Sequence, residues 1–218
     1  MIVLALDTAG VDCAAAVYDS GSDSVMGEVT ETIGRGHAEH LMDVVDRALA
    51  EADIALAAVE RVVVTVGPGS FTGIRIGVAA ARGFALSLNI PAVGVTTLEV
   101  MAAAARETRP GKSVLAAIDA KREEIYLQSF DADGHTLDEA RAVTIEEARA
   151  ISTAFDGVVT GSAVARLSDS PPPARPDAFP IAIVARLGAV KPLSEKPKPL
   201  YLRGPDARPQ AGYAVARL

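Results

Sequence analysis

The sequence predicts an α/β protein built from two related lobes, and three observations carry that expectation. Short apolar runs rich in β-branched residues, such as Val62-Val63-Val64-Thr65-Val66, alternate with longer stretches whose apolar residues recur at helical spacing. A tight turn, Gly67-Pro68-Gly69-Ser70-Phe71-Thr72-Gly73, joins that run to a stretch rich in alanine and leucine, in the order strand, turn, helix. An apolar strand, a turn opened by aspartate and a returning strand occur twice, at 2–18 and at 114–130, with no residue-level repeat beneath the echo.

Residues 2–6 read as a buried strand and Asp7-Thr8-Ala9-Gly10 as a polar turn. Residues 13–18 return as the second arm of a hairpin, and 25–32 add a third strand after the turn at 21–24. Leu41, Val44, Val45, Ala48, Leu49 and Ala52 place an amphipathic helix over 37–52. The strand at 62–66 and the glycine turn lead into a helix over 74–88, which Asn89-Ile90-Pro91 ends. A strand at 92–95 and a helix at 98–105 follow. Arg109-Pro110-Gly111-Lys112 then reads as a linker between a first lobe, 1–108, and a second, 109–218. In the second lobe the pattern predicts strands at 114–118, 124–130 and 158–160, and helices at 144–150 and 180–190. Ser170-Pro171-Pro172-Pro173 reads as a loop. From Lys191 the chain is rich in proline with little periodicity, as in a wrapped or loose tail; this tail or the last helix is expected to pack back on the first lobe.

Composition narrows the function classes. Half of the 218 residues are hydrophobic but only 4% are aromatic, with no Trp, so alanine, valine and leucine must fill the core. A net charge of −7 argues against unaided binding to nucleic acid, which rests on Lys and Arg neutralising phosphates. The single cysteine, Cys13, excludes an internal disulfide and fits a reducing cytoplasm. The first residues carry neither a basic leader nor an apolar stretch of membrane-spanning length, so the expectation is a cytoplasmic protein with no membrane partner.

The glycine turn is not a Walker loop, because no Gly-Lys-Ser/Thr follows it, and its G-x-G-x-x-x-G spacing differs from the dinucleotide fingerprint. Gly73, Gly77, Ala80 and Ala81 fall on or near one helix face with Phe84 further along, which suits either internal packing or close approach of another subunit. Asp7 and Thr8 are the candidate positions for a metal-bound phosphate; a turn aspartate bonding its own backbone is the competing reading. Asp119 stands at the matching point of the second lobe, as in two-aspartate phosphoryl-transfer clefts. Its turn, Ala120-Lys121-Arg122-Glu123, lacks the glycines such clefts use. His37 and His40 are three apart rather than four, with the glutamate misplaced for a zinc helix. His135 is isolated, and no Ser-His-Asp arrangement is legible. We expect no catalytic residue, cofactor or metal ligand set.

Val66 to Gly77, continuing through Ala85-Leu86-Ser87-Leu88-Asn89-Ile90-Pro91-Ala92-Val93-Gly94-Val95, closely resembles the TsaB (YeaZ) family. Leu4-Ala5-Leu6-Asp7-Thr8, Arg35-Gly36-His37, Ile118 to Tyr126 and Pro199-Leu200-Tyr201-Leu202-Arg203 match it in order. The resemblance implies the two-lobed fold of actin, hexokinase and Hsp70 (ASKHA) with a reduced second lobe. It also implies a non-catalytic scaffold subunit that binds the related catalytic subunit TsaD, with the ATPase TsaE joining. The complex puts a threonylcarbamoyl group on adenosine of tRNAs decoding codons that begin with A, and tRNA is met only through it. TsaD-type proteins carry His-x-x-x-His after the equivalent strand; here those positions are Thr97 and Met101, poor ligands for a divalent ion. Peptidase labels attached to this superfamily find no support in these residues.

The resemblance further implies that the helices at 37–52 and 74–88 form the partner interface, through Leu41, Val44, Val45, Ala48, Gly73, Arg75, Ile76, Gly77, Ala80, Ala81 and Phe84. The same surface is expected to pair two copies when TsaD is absent. On this reading Gly77→Arg blocks binding and leaves the monomer folded. The alternative function is a small-molecule kinase of the ASKHA superfamily using Asp7 and Asp119.

Overall fold

Two mixed β-sheets with the same internal order organise the chain. In the computed structural model, which describes residues 1–168, 174–176, 178–193 and 195–203, the first sheet contains β1 (Ile2–Asp7), β2 (Asp12–Asp19), β3 (Ser24–Thr32), β4 (Arg61–Thr65) and β5 (Ala92–Val95). Their order is β3-β2-β1-β4-β5. The second contains β6 (Val114–Asp119), β7 (Glu124–Phe130), β8 (Arg141–Thr144) and β9 (Val158–Thr160), in the order β8-β7-β6-β9. Each sheet starts from an antiparallel hairpin and adds a parallel strand on the far side of its first strand, β4 beside β1 and β9 beside β6. This is the echo seen in the sequence, expressed as topology. β1 and β6 are buried on both faces, which explains their unbroken apolar runs.

Among the described residues six α-helices cover the sheets: α1 (His37–Glu51), α2 (Phe71–Leu88), α3 (Thr97–Thr108), α4 (Ile145–Ala154), α5 (Val164–Leu167) and α6 (Ile181–Val190). α1 lies on β2 and β3, and α2 on β4 and β1, while α6 packs on β1, β2 and β4. Neighbouring residues of β4 show that α2 and α6 take opposite faces: a Cβ at Gly77 would press on Val64, and one at Gly188 on Val63. α3 packs on β6 and also touches α6. Val114, Ala116, Ile118 and Phe130 therefore belong to the same hydrophobic cluster as the first sheet.

Several boundaries differ from the sequence reading for local reasons. α2 begins at Phe71 rather than 74, because Ser70 caps it by accepting from the Gly73 N–H. α3 starts on a capping box of Thr96 and Glu99 and runs on to Thr108. α4 likewise starts on a Thr144–Glu147 box and extends to Ala154. β8 and α5 are short, and neither was expected. The expected loop at 170–173 lies outside the described residues.

The segment after α6 is held at several points. One terminal nitrogen of Arg61 donates to the carbonyls of Gly188, Ala189 and Lys191, at 2.9, 2.7 and 3.0 Å, closing the end of α6 with a cation. Lys191 pairs with Glu99, Leu200 N–H donates to Val66 O at 2.8 Å, and Arg203 pairs with Glu124 of β7. Arg61→Met keeps the apolar stem and removes the donor. It is expected to cost about 2 kcal/mol, read as a fall of roughly 6 °C in Tm.

Candidate functional site

Three carbonyls of the glycine turn and the Ser70 N–H bond within the chain. Ser70 N–H donates to Ala9 O at 2.7 Å, and Thr97 N–H to Gly67 O at 2.9 Å. The Thr97 hydroxyl donates to Pro68 O at 2.6 Å, and the Thr8 hydroxyl to Gly73 O at 2.7 Å. Gly67 has φ +97°, a left-handed conformation that disfavours other residues. Cβ atoms added at Gly69 and Gly73 would lie 2.4 Å from Ala9 O and 1.9 Å from Thr8 O. The glycines thus let the start of α2 lie directly on the turn between β1 and β2. The close contact makes this stretch a packing device between α2 and the β1–β2 turn.

Asp7 and Thr8 sit under that contact, and both are fully buried. Asp7 Oδ1 accepts from the Thr65 hydroxyl at 2.5 Å and from Ala9 N–H at 3.0 Å, while Oδ2 has no hydrogen-bond partner. Burial pushes the carboxyl up to about 6, against the opposing hydrogen bonds from Thr65 and Ala9. Asp119 is placed differently. Burial works against its charge, yet the Lys121 N–H and the cations of Lys121 and Arg166 hold it below the usual carboxylate range. Its turn adopts left-handed backbone at Lys121, Arg122 and Glu123 without any glycine. Strain there is of order 1 kcal/mol per residue, and the pairs Arg166–Glu123 and Arg203–Glu124 brace the turn.

The remaining polar candidates also have structural partners. Buried His37 contacts Asp12 O at 3.1 Å through Nε2, and His40 faces Glu31 at 3.3 Å, so the two rings point to different groups. Cys13 is buried, and its thiol is pushed up to about 11 by burial and by the charges of Asp7 and Glu31, which leaves it unreactive. Thr97 and Met101 are both buried. A cavity of about 390 Å³ lies between the sheets, lined by Asp12, Thr30, Met101, Thr160 and Arg175; Arg175 holds Asp12 with both oxygens, at 2.7 and 2.8 Å.

The interface residues expected on α1 and α2 require correction. Leu41, Val44, Val45 and Ala48 are buried in the core of this chain, and so are Gly73, Gly77 and Ala81. Helical periodicity marked the inward face. A Cβ at Gly77 would lie 2.5 Å from the Thr8 hydroxyl, so Gly77→Arg would break the fold rather than test an interface. Ile76, Ala80 and Phe84 are half-buried, and Arg75 is exposed.

The outward face of α2 has a different composition. Phe71, Arg75, Ala79, Arg82 and Leu86 are all exposed and follow one another at helical spacing, forming a ridge. Leu86 is 84% exposed and Phe71 55%, while Ala79, Ala80 and Gly83 keep the middle low. On α1 the exposed residues include Glu39, Asp43 and Asp46. A groove of about 520 Å³ runs beside the end of α2, lined by Arg82, Leu86, Ile90, Leu193 and Pro197. Among the described residues α2 is the one helix long and apolar enough to cross a membrane, yet one face packs on the sheet and two arginines stand on the other. Phe71 and Tyr201 are also exposed, at 55% and 48%, and no sequence signal marks them as surface residues.

Comparison with known proteins agrees with this architecture. Residues 18–175 match the family model for TsaD, tRNA N6-adenosine threonylcarbamoyltransferase. The tRNA threonylcarbamoyladenosine biosynthesis protein TsaB of Escherichia coli is 35% identical over 61% of this chain and 56% of its own length. The Haemophilus influenzae TsaB is 34% identical over 58% and 52%. The matched region thus spans about half the length of these curated relatives. An uncharacterized Mycobacterium tuberculosis protein is 34% identical over 96% of this chain and 95% of its own. YeaZ from Pseudomonas aeruginosa superposes with a TM-score of 0.73 at 26% identity, covering 92% of this chain and 99% of that one. A second structure, described as similar to the peptidase YeaZ from that organism, gives 0.77 at 28%, covering 93% and 99%. With its glycine turn, its duplicated sheet order and these relatives, the chain belongs to the TsaB/YeaZ family, within the wider family that the TsaD model describes.

Proposed function

We propose that this chain is a non-catalytic scaffold that binds a TsaD-type catalytic subunit and supports threonylcarbamoyl transfer to adenosine of tRNAs decoding codons that begin with A. A TsaE-type ATPase joins the assembly, and tRNA is engaged through the complex. The observation that carries the proposal is the ridge Phe71–Arg75–Ala79–Arg82–Leu86, an exposed helix face with apolar ends and a low middle. Such a face suits close approach of a second helix, at an axis distance of roughly 8–10 Å. The non-catalytic part is supported by the burial of Asp7 and Thr8 and by Thr97 and Met101 at the positions where TsaD-type proteins have histidines. The kinase alternative needs an accessible Asp7, and Asp7 is sealed.

The test is reconstitution with the TsaD-type and TsaE-type proteins of the same organism, tRNA and threonylcarbamoyl-adenylate. Modification is expected only when this chain is present, and none from this chain alone. Equal modification without it would overturn the proposal, and ATP-dependent phosphorylation by the chain alone would favour the kinase.

A homodimer through the same face has its own support. Glu39 and Asp46 on α1 are seven residues apart, as are Arg75 and Arg82 on α2, a rise of roughly 10 Å in each case. None of these four has an oppositely charged partner among the described residues. A two-fold axis that sets α1 of one copy against α2 of the other brings the acidic and basic pairs together.

A further inference from the structure

Among the described residues the structure contains one exposed aromatic–cationic cluster, built by two segments distant in sequence. Arg75 places its guanidinium carbon 3.7 Å from the Phe71 ring centroid and 5.7 Å from that of Tyr201. Its Nε–H donates to the Tyr201 hydroxyl at 2.7 Å, and the two rings lie 5.5 Å apart, tilted by 36°. Tyr201 is 48% exposed. It stands on the segment after α6, one residue past the bond from Leu200 N–H to Val66 O and two residues before Arg203, which pairs with Glu124 and donates to Lys121 O at 3.3 Å. The segment around Tyr201 is thus tied to the first sheet on one side and to the second on the other.

Ordering an exposed arginine costs side-chain entropy that a monomer gains little from. Here that order is already present, with the fork of Arg75 uncommitted to any carboxylate among the described residues and both rings partly open. Tyrosine, phenylalanine and arginine held rigidly at a surface are the composition of an interface anchor. We propose that Phe71, Arg75 and Tyr201 form a preassembled anchor for a protein partner that presents a carboxylate next to an apolar side chain, with Tyr201 the positioning residue that fixes Arg75. The tail segment is thereby part of the docking surface, continuous with the ridge of α2. A carboxylate fits better than the phosphates of RNA, because exposed Glu39 and Asp46 on the neighbouring α1 repel a polyanion more than a single charge, whereas Asp43 is paired with Arg47.

This inference rests on the reading that the α2 face meets the TsaD-type subunit, and the test separates the two. Calorimetric titration with the TsaD-type protein of the same organism is compared for wild type, Tyr201→Phe, Tyr201→Ala, Phe71→Ala and Arg75→Met, with Tm recorded for each. Tyr201→Phe keeps the ring and removes only the hydroxyl; it is expected to weaken binding about 3- to 10-fold. Tyr201→Ala and Phe71→Ala are expected to weaken it about 30-fold or more. Arg75→Met should do the same and flatten the salt dependence, all with Tm held within about 2 °C. Wild-type affinity in Tyr201→Ala and Phe71→Ala would overturn the anchor and leave the proposed function standing. No binding by wild type would overturn both. Binding of tRNA by the free chain that Arg75→Met abolishes would also overturn it, since the cluster would then serve RNA.

Discussion

Gly73→Ala is expected to destabilise the protein by about 3 kcal/mol or more, because the new Cβ would stand 1.9 Å from the backbone carbonyl of Thr8. That atom belongs to the β1–β2 turn and cannot step aside without moving the Asp7 carboxylate and the start of α2 together. The expected readout is a fall in Tm of about 10 °C, or failure to accumulate as soluble protein. Gly83→Ala is the control on the same helix. Nothing lies within 4 Å of a Cβ there, and an exposed helical glycine costs about 0.5–1 kcal/mol relative to alanine. It should therefore raise Tm slightly. A Gly73→Ala protein as stable as wild type would contradict the close contact on which the whole reading of the glycine turn depends.

Asp7→Asn is expected to stabilise the protein at neutral pH and to destabilise it slightly in mild acid. The Asp7 carboxyl moves from 3.8 in the unfolded chain to about 6 in the native state, chiefly through burial, so the native state binds this proton more tightly. The sign follows: this group does not oppose folding below the unfolded value, and its penalty grows as pH rises through 3.8 to 6, reaching about 3 kcal/mol above that. Asparagine retains the acceptor used by Thr65 and Ala9 and replaces the unpartnered charged oxygen with a neutral amide that lacks a partner too. The net gain at pH 7.5 is then about 1–2 kcal/mol, and it turns into a loss of about 1 kcal/mol near pH 4, where the ionisation penalty has mostly gone and the unpartnered amide remains. Thermal melts at the two pH values read it directly. Destabilisation at pH 7.5 would show that the charge itself is needed in the native state.

The strands were legible because burial on one or both faces writes directly into apolar runs, as in Ile2–Asp7 and Val62-Val63-Val64. The twin hairpins were legible because each lobe repeats strand, aspartate turn and strand, whereas the order of the strands added beside them was not. β8 escaped notice because Arg141–Thr144 is a half-exposed edge of four residues without clear alternation. The left-handed turn at 121–123 escaped because lysine, arginine and glutamate carry no signature of it. The interface was read onto Leu41, Val44, Gly73 and Gly77 because apolar periodicity reports what a helix buries, and these residues are buried within the chain itself. The outward ridge, with Arg75, Ala79 and Arg82 at its centre, leaves no hydrophobic signal in a sequence. Tyr201 sits in a proline-rich stretch whose course only the folded chain reveals.

The measurement that bears most directly on the scaffold proposal uses Ala79→Arg. Ala79 is exposed at the middle of the ridge, and arginine is nearly as good a helix former as alanine, so the monomer should keep its Tm. Size-exclusion chromatography with light scattering, on wild type and variant mixed with the TsaD-type protein, is expected to show a stoichiometric heterocomplex for wild type. The folded variant should show two separate species, with affinity reduced about 100-fold or more. A heterocomplex formed equally well by the folded variant would contradict the assignment of the partner to this face of α2.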